Sequence, residues 1–343
     1  MSLYRIALLP ENEKQWNNIQ KLLEILEKLD FSATYTYPIY PCSHKESGIF
    51  FIDKEWNFIK NTTGCLVAPD YQDWSGKGKY YIADHYRSDF LEFCKKFRLH
   101  TQMYSCRIFT EENQTSEQDI QLRVLSPIES VGYERFQIKN LSNALRKILE
   151  EEQSMSNFAN LELDDLCLNV QVFSRTYSQR MLSFASKLSN GKTEIIILHE
   201  HNKDNPYFQE ELKNYKENNW ATMTILEFRQ WLQSNNLHQA IVVGNPSLVD
   251  WIGRVGLKMA DCAYIGDSYG VFSPTAMNWP NCSGEISSYL SLILSAKAML
   301  DYLQEQEKSQ YLMHAFLQTV LSTENPITNL TQEEIHQSIL QKL

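Results

Sequence analysis

Between Leu166 and Val243 short apolar runs alternate with segments of helical period, and that alternation restricts the fold more than any other feature of the chain. Strand-like runs occur at Leu166–Phe173, Glu194–Leu198, Ala221–Leu226 and Gln239–Val243, separated by helix-like stretches ending near Leu188, spanning Tyr207–Asn218 and spanning Glu227–Asn235. Strands spaced by helices in this way predict βαβ units, hence a parallel sheet with right-handed crossovers.

The first half opens in the same manner. Tyr4–Leu9 reads as a strand stopped by Pro10, and Trp16, Ile19, Leu22, Leu23, Leu26 and Leu29 recur at helical spacing over Gln15–Leu29. Further strands are predicted at Gly64–Ala68, Lys79–Ala83, Met103–Phe109 and Ile120–Leu125, with a helix over Phe136–Glu152. A chain of 343 residues exceeds one ordinary core and suits two domains of roughly 150 residues each. The expected fold is therefore α/β: two Rossmann-like domains with parallel sheets at 1–155 and 160–282, followed by C-terminal helices over 283–343. Those helices read as Glu285–Gln306, Ser309–Ser322 and Gln332–Leu343, the last opened by Thr331 with Glu333 and Glu334 behind it.

Composition removes several function classes. A net charge of -10 argues against a duplex-binding protein, which needs clustered Lys and Arg. The 7 cysteines are scattered without a C-x-x-C, which predicts reduced thiols rather than a disulfide frame or zinc site. No apolar run is long enough to span a bilayer, and the N-terminal run is too short for a signal-peptide core. A cytoplasmic protein is expected, with peripheral membrane contact through a surface patch left open.

In a parallel sheet, ligands lie outside the carboxyl ends of the strands. Those ends carry Ser174, Arg175 and Arg180, then His199, then Asn245 and Ser247, then Gly266, Asp267, Ser268, Tyr269 and Gly270. The last set reads as strand Cys262–Ile265, a small-residue turn, and a helix opening near Ser273, a geometry in which backbone N–H groups and hydroxyls converge on an anion. Arginine beside Ser and Gly suits a diphosphate, because its planar fork pairs with phosphate oxygens and small residues admit them closely. Each set has a plainer reading: Arg175 as a solvated loop residue, Arg180 as an exposed helix residue, Ser268 as a helix cap. His199 and His201 flank Glu200, but extended backbone alternates faces, so no metal site is predicted. Asp84 and His85 end a predicted strand and form a candidate general base, or else Asp84 caps a helix beside a surface His85. The S-G-K-G-K of the loop after Gly64–Ala68 lacks the spacing of a nucleotide-triphosphatase loop.

The run G-L-K-M-A-D-C-A-Y-I-G-D-S-Y-G-V-F-S-P-T-A resembles the donor-site stretch of GT-B glycosyltransferases, particularly the heptosyl- and fucosyltransferase-like ones. V-Q-V-F-S-R-T-Y-S-Q-R similarly looks like the first strand and Arg-bearing turn of their nucleotide-binding half. The resemblance covers roughly residues 165–280. It implies a metal-independent glycosyltransferase without a cofactor, its nucleotide-sugar donor held between the domains and its acceptor a glycan or other hydroxyl. It places Arg175 at the donor phosphates and Asp267, Ser268 and Gly270 near the sugar or diphosphate; Tyr269 stands where a smaller residue is usual. Two other classes stay open: a Ser268-dependent SGNH-like esterase, since G-D-S also opens that block, and a non-catalytic ligand-binding protein on the same fold.

Overall fold

Ile6 and Leu8 point inward along the strand Tyr4–Pro10 (β1), and the helix Glu13–Lys28 (α1) buries Ile19, Leu22, Ile25 and Leu26 on one stripe. The strand-then-helix opening is therefore present. The computed structural model describes residues 4–10, 13–36, 62–68, 97–108, 120–127, 134–137, 167–170, 174–199, 207–208, 210, 213, 220–234, 239–244, 259–274, 283–322 and 327–343.

After α1 come β2 (Ala33–Thr36), β3 (Gly64–Ala68), β4 (Leu99–Ile108), β5 (Ile120–Pro127), β6 (Glu134–Gln137) and β7 (Cys167–Val170). The second half holds α2 (Arg175–Ser189), β8 (Glu194–His199), β9 (Trp220–Thr224), α3 (Ile225–Ser234), β10 (Gln239–Val243), β11 (Met259–Gly266) and β12 (Gly270–Pro274). Helices α4 (Gly284–Tyr302), α5 (Gln306–Val320) and α6 (Gln332–Lys342) close the chain.

Ten of the described strands form one sheet, in the order β2-β1-β3-β12-β11-β4-β5-β10-β8-β9. Neighbours from β2 to β12 are parallel, and so are neighbours from β5 to β9. The three pairings between these blocks, β12 with β11, β11 with β4 and β4 with β5, are antiparallel. The two parallel blocks thus run in opposite directions across one mixed sheet.

The α/β class holds. The two separate parallel sheets expected above do not form, because β11 and β12 insert between β3 and β4 and fuse both blocks. Two local readings also change. Residues 134–137, at the start of the predicted helix 136–152, are strand, and they pair antiparallel with β7 in a separate two-stranded sheet. Ser273 lies in strand β12 and opens no helix.

Strands β8 and β10 are apolar without alternation because both of their faces are covered. Ile195, Ile197, Ile241 and Val243 pack with Met181, Leu182 and Ala185 of α2. Ile196, Leu198, Ala240 and Val242 pack with Phe228 and Trp231 of α3. Burying each large aliphatic side chain stabilises by about 1.5–3 kcal/mol. On the other block α4 touches β3, β11 and β12 and is enclosed by α1, α5 and α6, so nearly every residue from Ser287 to Leu300 is buried. Among the described residues no helix is long and apolar enough to cross a membrane. Helix α2 packs over β4, β5, β10 and β8, α4 packs over β3, β11 and β12 with α5 against it, and a groove remains between α2 and the α4–α5 pair.

Candidate functional site

The groove is floored by β4, β5 and the end of β11, walled by α2 on one side and by α4 and α5 on the other, and encloses about 1310 Å³. Its rim begins at the β11–β12 hairpin. The register of β11 against β4 shifts between Ile265 and Gly266, and the Gly266 N–H donates to the Tyr269 carbonyl at 2.8 Å. A Cβ at position 266 would lie 2.8 Å from the Arg98 carbonyl oxygen and 3.0 Å from that of Phe97. Close backbone packing therefore requires the glycine.

Beyond Gly266 the chain exposes Asp267 and Ser268, then turns Tyr269 back inside. The Tyr269 hydroxyl shares a 3.1 Å hydrogen bond with Thr62 Oγ1, and its ring centroid lies 4.4 Å from that of Phe97. Asp267 faces two cationic or titratable groups, His100 Nε2 at 3.6 Å and Arg180 Nη1 at 3.7 Å. His100 is buried at the start of β4, its Nδ1 2.7 Å from Thr101 Oγ1.

A second carboxylate, Asp301, sits near the C-terminus of α4. It accepts from Lys297 Nζ at 2.6 Å, from Arg123 Nη2 at 3.2 Å and from Ser309 Oγ at 2.5 Å. Burial pushes the Asp301 carboxyl up, but Lys297, Arg123 and the hydrogen bonds from Lys297 and Ser309 outweigh it and hold the group below its ordinary range. The Tyr302 phenol is pushed up to about 12, by burial first and then by Asp267. It remains a proton donor at neutral pH.

Burial holds the His100 imidazole down at about 4 against an ordinary 6.5; Asp267 opposes this, while Arg180 and Lys187 reinforce it. The folded protein therefore binds this proton less readily than the unfolded chain. The resulting stability is present above about pH 6.5 and is lost as pH falls towards about 4. The expected loss is about 2–3 kcal/mol by urea unfolding across that window, and His100→Gln should flatten it. An unchanged slope in the variant would assign the acid sensitivity to another group.

The residues singled out from sequence divide into three sets. Arg180, Gly266, Asp267 and Ser268 line the groove together. Ser174, Arg175, His199, Tyr269 and Gly270 are not on its described walls. Ser174 caps α2, its side chain accepting from the Tyr177 N–H, and Arg175 pairs with Glu210 and stacks 5.1 Å above the Tyr207 ring. His199 ends β8, Gly270 opens β12, and Ser273 continues that strand. Asp84, His85, Asn245 and Ser247 lie outside the described residues.

His100, Arg123, Lys297, Asp301 and Tyr302 were not foreseen. One signal was readable: Arg123 shares its strand face with Leu125, an inward position where a cation needs a partner. Among the described residues, both nitrogens of His100 face other atoms, Thr101 Oγ1 and Asp267, so this histidine is not aimed at the Ser268 hydroxyl.

Searches of protein families and of curated proteins find no match to the sequence. Solved structures do match. The TT0538 protein from Thermus thermophilus is 15% identical with a TM-score of 0.68, over 99% of this chain and 68% of that one. An isocitrate dehydrogenase from Methylococcus capsulatus is 13% identical with a TM-score of 0.68, over 99% of both chains. At such identity the likeness establishes a shared fold and nothing finer.

Proposed function

We propose that the groove binds a small anionic metabolite. One observation carries the reading. A chain of net charge -10 places Arg123, Arg180, Lys187, Lys192 and Lys297 on the described walls of a single groove, against the two carboxylates of Asp267 and Asp301. Low-dielectric walls that carry an excess of one sign of charge concentrate ligands of the other sign.

The metal-independent glycosyltransferase expected from the sequence is a narrower form of this proposal. In it the diphosphate of a nucleotide sugar faces Arg180 and the groove lysines, the sugar lies towards Asp267 and Ser268, and the two parallel blocks stand in for the two Rossmann-like halves. Its support is that Arg180, Gly266, Asp267 and Ser268 meet in one groove; Arg175 has no part in it. A second reading takes a hydroxy-carboxylic acid as ligand, favoured by the end-to-end fold likeness to an isocitrate dehydrogenase.

Thermal unfolding separates these readings, because a ligand that binds only the native state raises its melting temperature. At tenfold excess over Kd the stabilisation is about 1.4 kcal/mol, or about 2–4 °C. GDP-fucose and UDP-glucose raising the transition, with isocitrate inert, would support the transferase. The reverse would support a hydroxy acid. No shift with any of the three would sink the anion-binding proposal.

A further inference from the structure

Two ion pairs cross the groove, and they cross it with the same polarity. Arg180, on α2, faces Asp267 of the β11–β12 hairpin at 3.7 Å; Arg123, on β5, donates to Asp301 of α4 at 3.2 Å. Both arginines belong to the block of β5, β10, β8 and β9 with its helix α2. Both carboxylates lie on the facing side, on the hairpin and on α4. In each pair one of the protein's own carboxylates faces the arginine from the opposite wall.

Neither pair is built to be permanent. The Arg180 and Asp267 side chains are 37% and 44% exposed and stand beyond hydrogen-bond distance, where an ion pair contributes little. Asp301 is more enclosed, but it keeps Lys297 and Ser309 when Arg123 turns away, so no buried charge is left unpaired. Lys187 and Lys192, on the same wall as Arg180, have no carboxylate partner among the described residues.

Resting on the anion-binding reading of this groove, we propose that its ligand carries two separated anionic groups and seats by displacing Asp267 from Arg180 and Asp301 from Arg123. A single anionic group satisfies one arginine and leaves the other pair closed across the groove. Two groups take both forks, and bidentate Arg–oxyanion contact is stronger than the loose pair it replaces. Occupancy then removes both cross-groove ties, so ligand binding and loosening of the two walls are coupled.

The test is calorimetric titration of the full chain at fixed ionic strength with two probe series: α,ω-dicarboxylates from malonate to adipate against acetate, and inorganic pyrophosphate against inorganic phosphate. The two series separate carboxylate from phosphate ligands. The two-headed probes of one series should bind at least about tenfold tighter than their single-headed counterpart, a difference of about 1.4 kcal/mol. Asp267→Asn should tighten that binding by about threefold, as expected when a weak exposed competing pair is removed, and Asp301→Asn should tighten it as well. Arg180→Gln should abolish the preference for two heads; its side chain is solvent-accessible, so the variant should fold, with circular dichroism as the check. Equal affinity for one-headed and two-headed probes, or weaker binding in folded Asp→Asn variants, overturns the displacement proposal alone. Absence of binding by every probe overturns the anion groove itself.

Discussion

Replacing Phe272 with Ala should destabilise the protein by about 3–5 kcal/mol, the range for deleting a buried aromatic ring that its surroundings do not refill. Phe272 is fully buried in β12, opposite Leu66 of β3 on one side and Ala263 of β11 on the other, where late strands enter the sheet between early ones. Its closest glycine neighbours show why the site should not collapse. A Cβ at position 270 would lie 2.6 Å from the ring, and one at position 64 would lie 3.5 Å from it, so the ring fills space that two residues without side chains leave open. The upper part of the range is expected for that reason.

The loss should reach the groove as well. Tyr302 packs against Phe272 with ring centroids 5.6 Å apart, and its hydroxyl donates to the Gly266 carbonyl at 3.5 Å, tying α4 to the hairpin that carries Asp267. Phe272→Ala should therefore weaken anion binding together with stability. Phe272→Leu, which keeps most of the volume, should cost about 1–2 kcal/mol. Denaturant unfolding measures both. A loss below about 1.5 kcal/mol for the Ala variant would mean that neighbouring side chains close the space after all.

What could be read from sequence follows the range of the interaction that decides each element. Strands β8 and β10 and helix α2 were legible because local periodicity and length define them. Helix α6 was legible through its cap: Thr331 accepts from the Glu334 N–H while the Glu334 carboxylate accepts from the Thr331 N–H, a reciprocal pair written within four residues. Strand β12, where the sequence predicts a helix opening near Ser273, is set by non-local pairing: Val271 and Phe272 pair with Cys65 and Leu66, partners far away in the chain. The break between α4 and α5 falls at Gln304, which adopts a φ of 65° with no Gly or Pro to announce it.

The groove was partly legible for the same reason. Arg180, Gly266, Asp267 and Ser268 were picked out because strand-to-turn boundaries are local signals. Their convergence depends on β11 lying beside β4, a non-local pairing that also brings His100 against Asp267. Arg123 and Asp301 meet only because β5 and α4 face one groove. No spacing in the sequence encodes that meeting.

The C-terminal helix provides the other large effect. His336 of α6 is buried between two helices: its Nδ1 lies 2.8 Å from the Tyr289 hydroxyl of α4, and its Nε2 lies 2.9 Å from Glu24 Oε2 of α1. A carboxylate only accepts, so Nε2–H donates to Glu24; in the neutral ring Nδ1 then accepts from the Tyr289 O–H. Burial, and after it Glu24 and Glu333, raise the Tyr289 phenol well above its ordinary value, which keeps its proton in place. His336→Ala should cost about 3–5 kcal/mol, combining an unfilled space with a fully buried Tyr289 hydroxyl left without this partner. Tyr289→Phe strands only the Nδ1 acceptor and should cost about 1–3 kcal/mol. Glu24→Gln, at an end whose side chain is 59% exposed and open to water, should cost less than about 1 kcal/mol. Guanidinium unfolding of the three variants gives the order. If Glu24→Gln proves as damaging as His336→Ala, the stabilisation lies in the surface ion pair and the buried Tyr289–His336 contact is incidental.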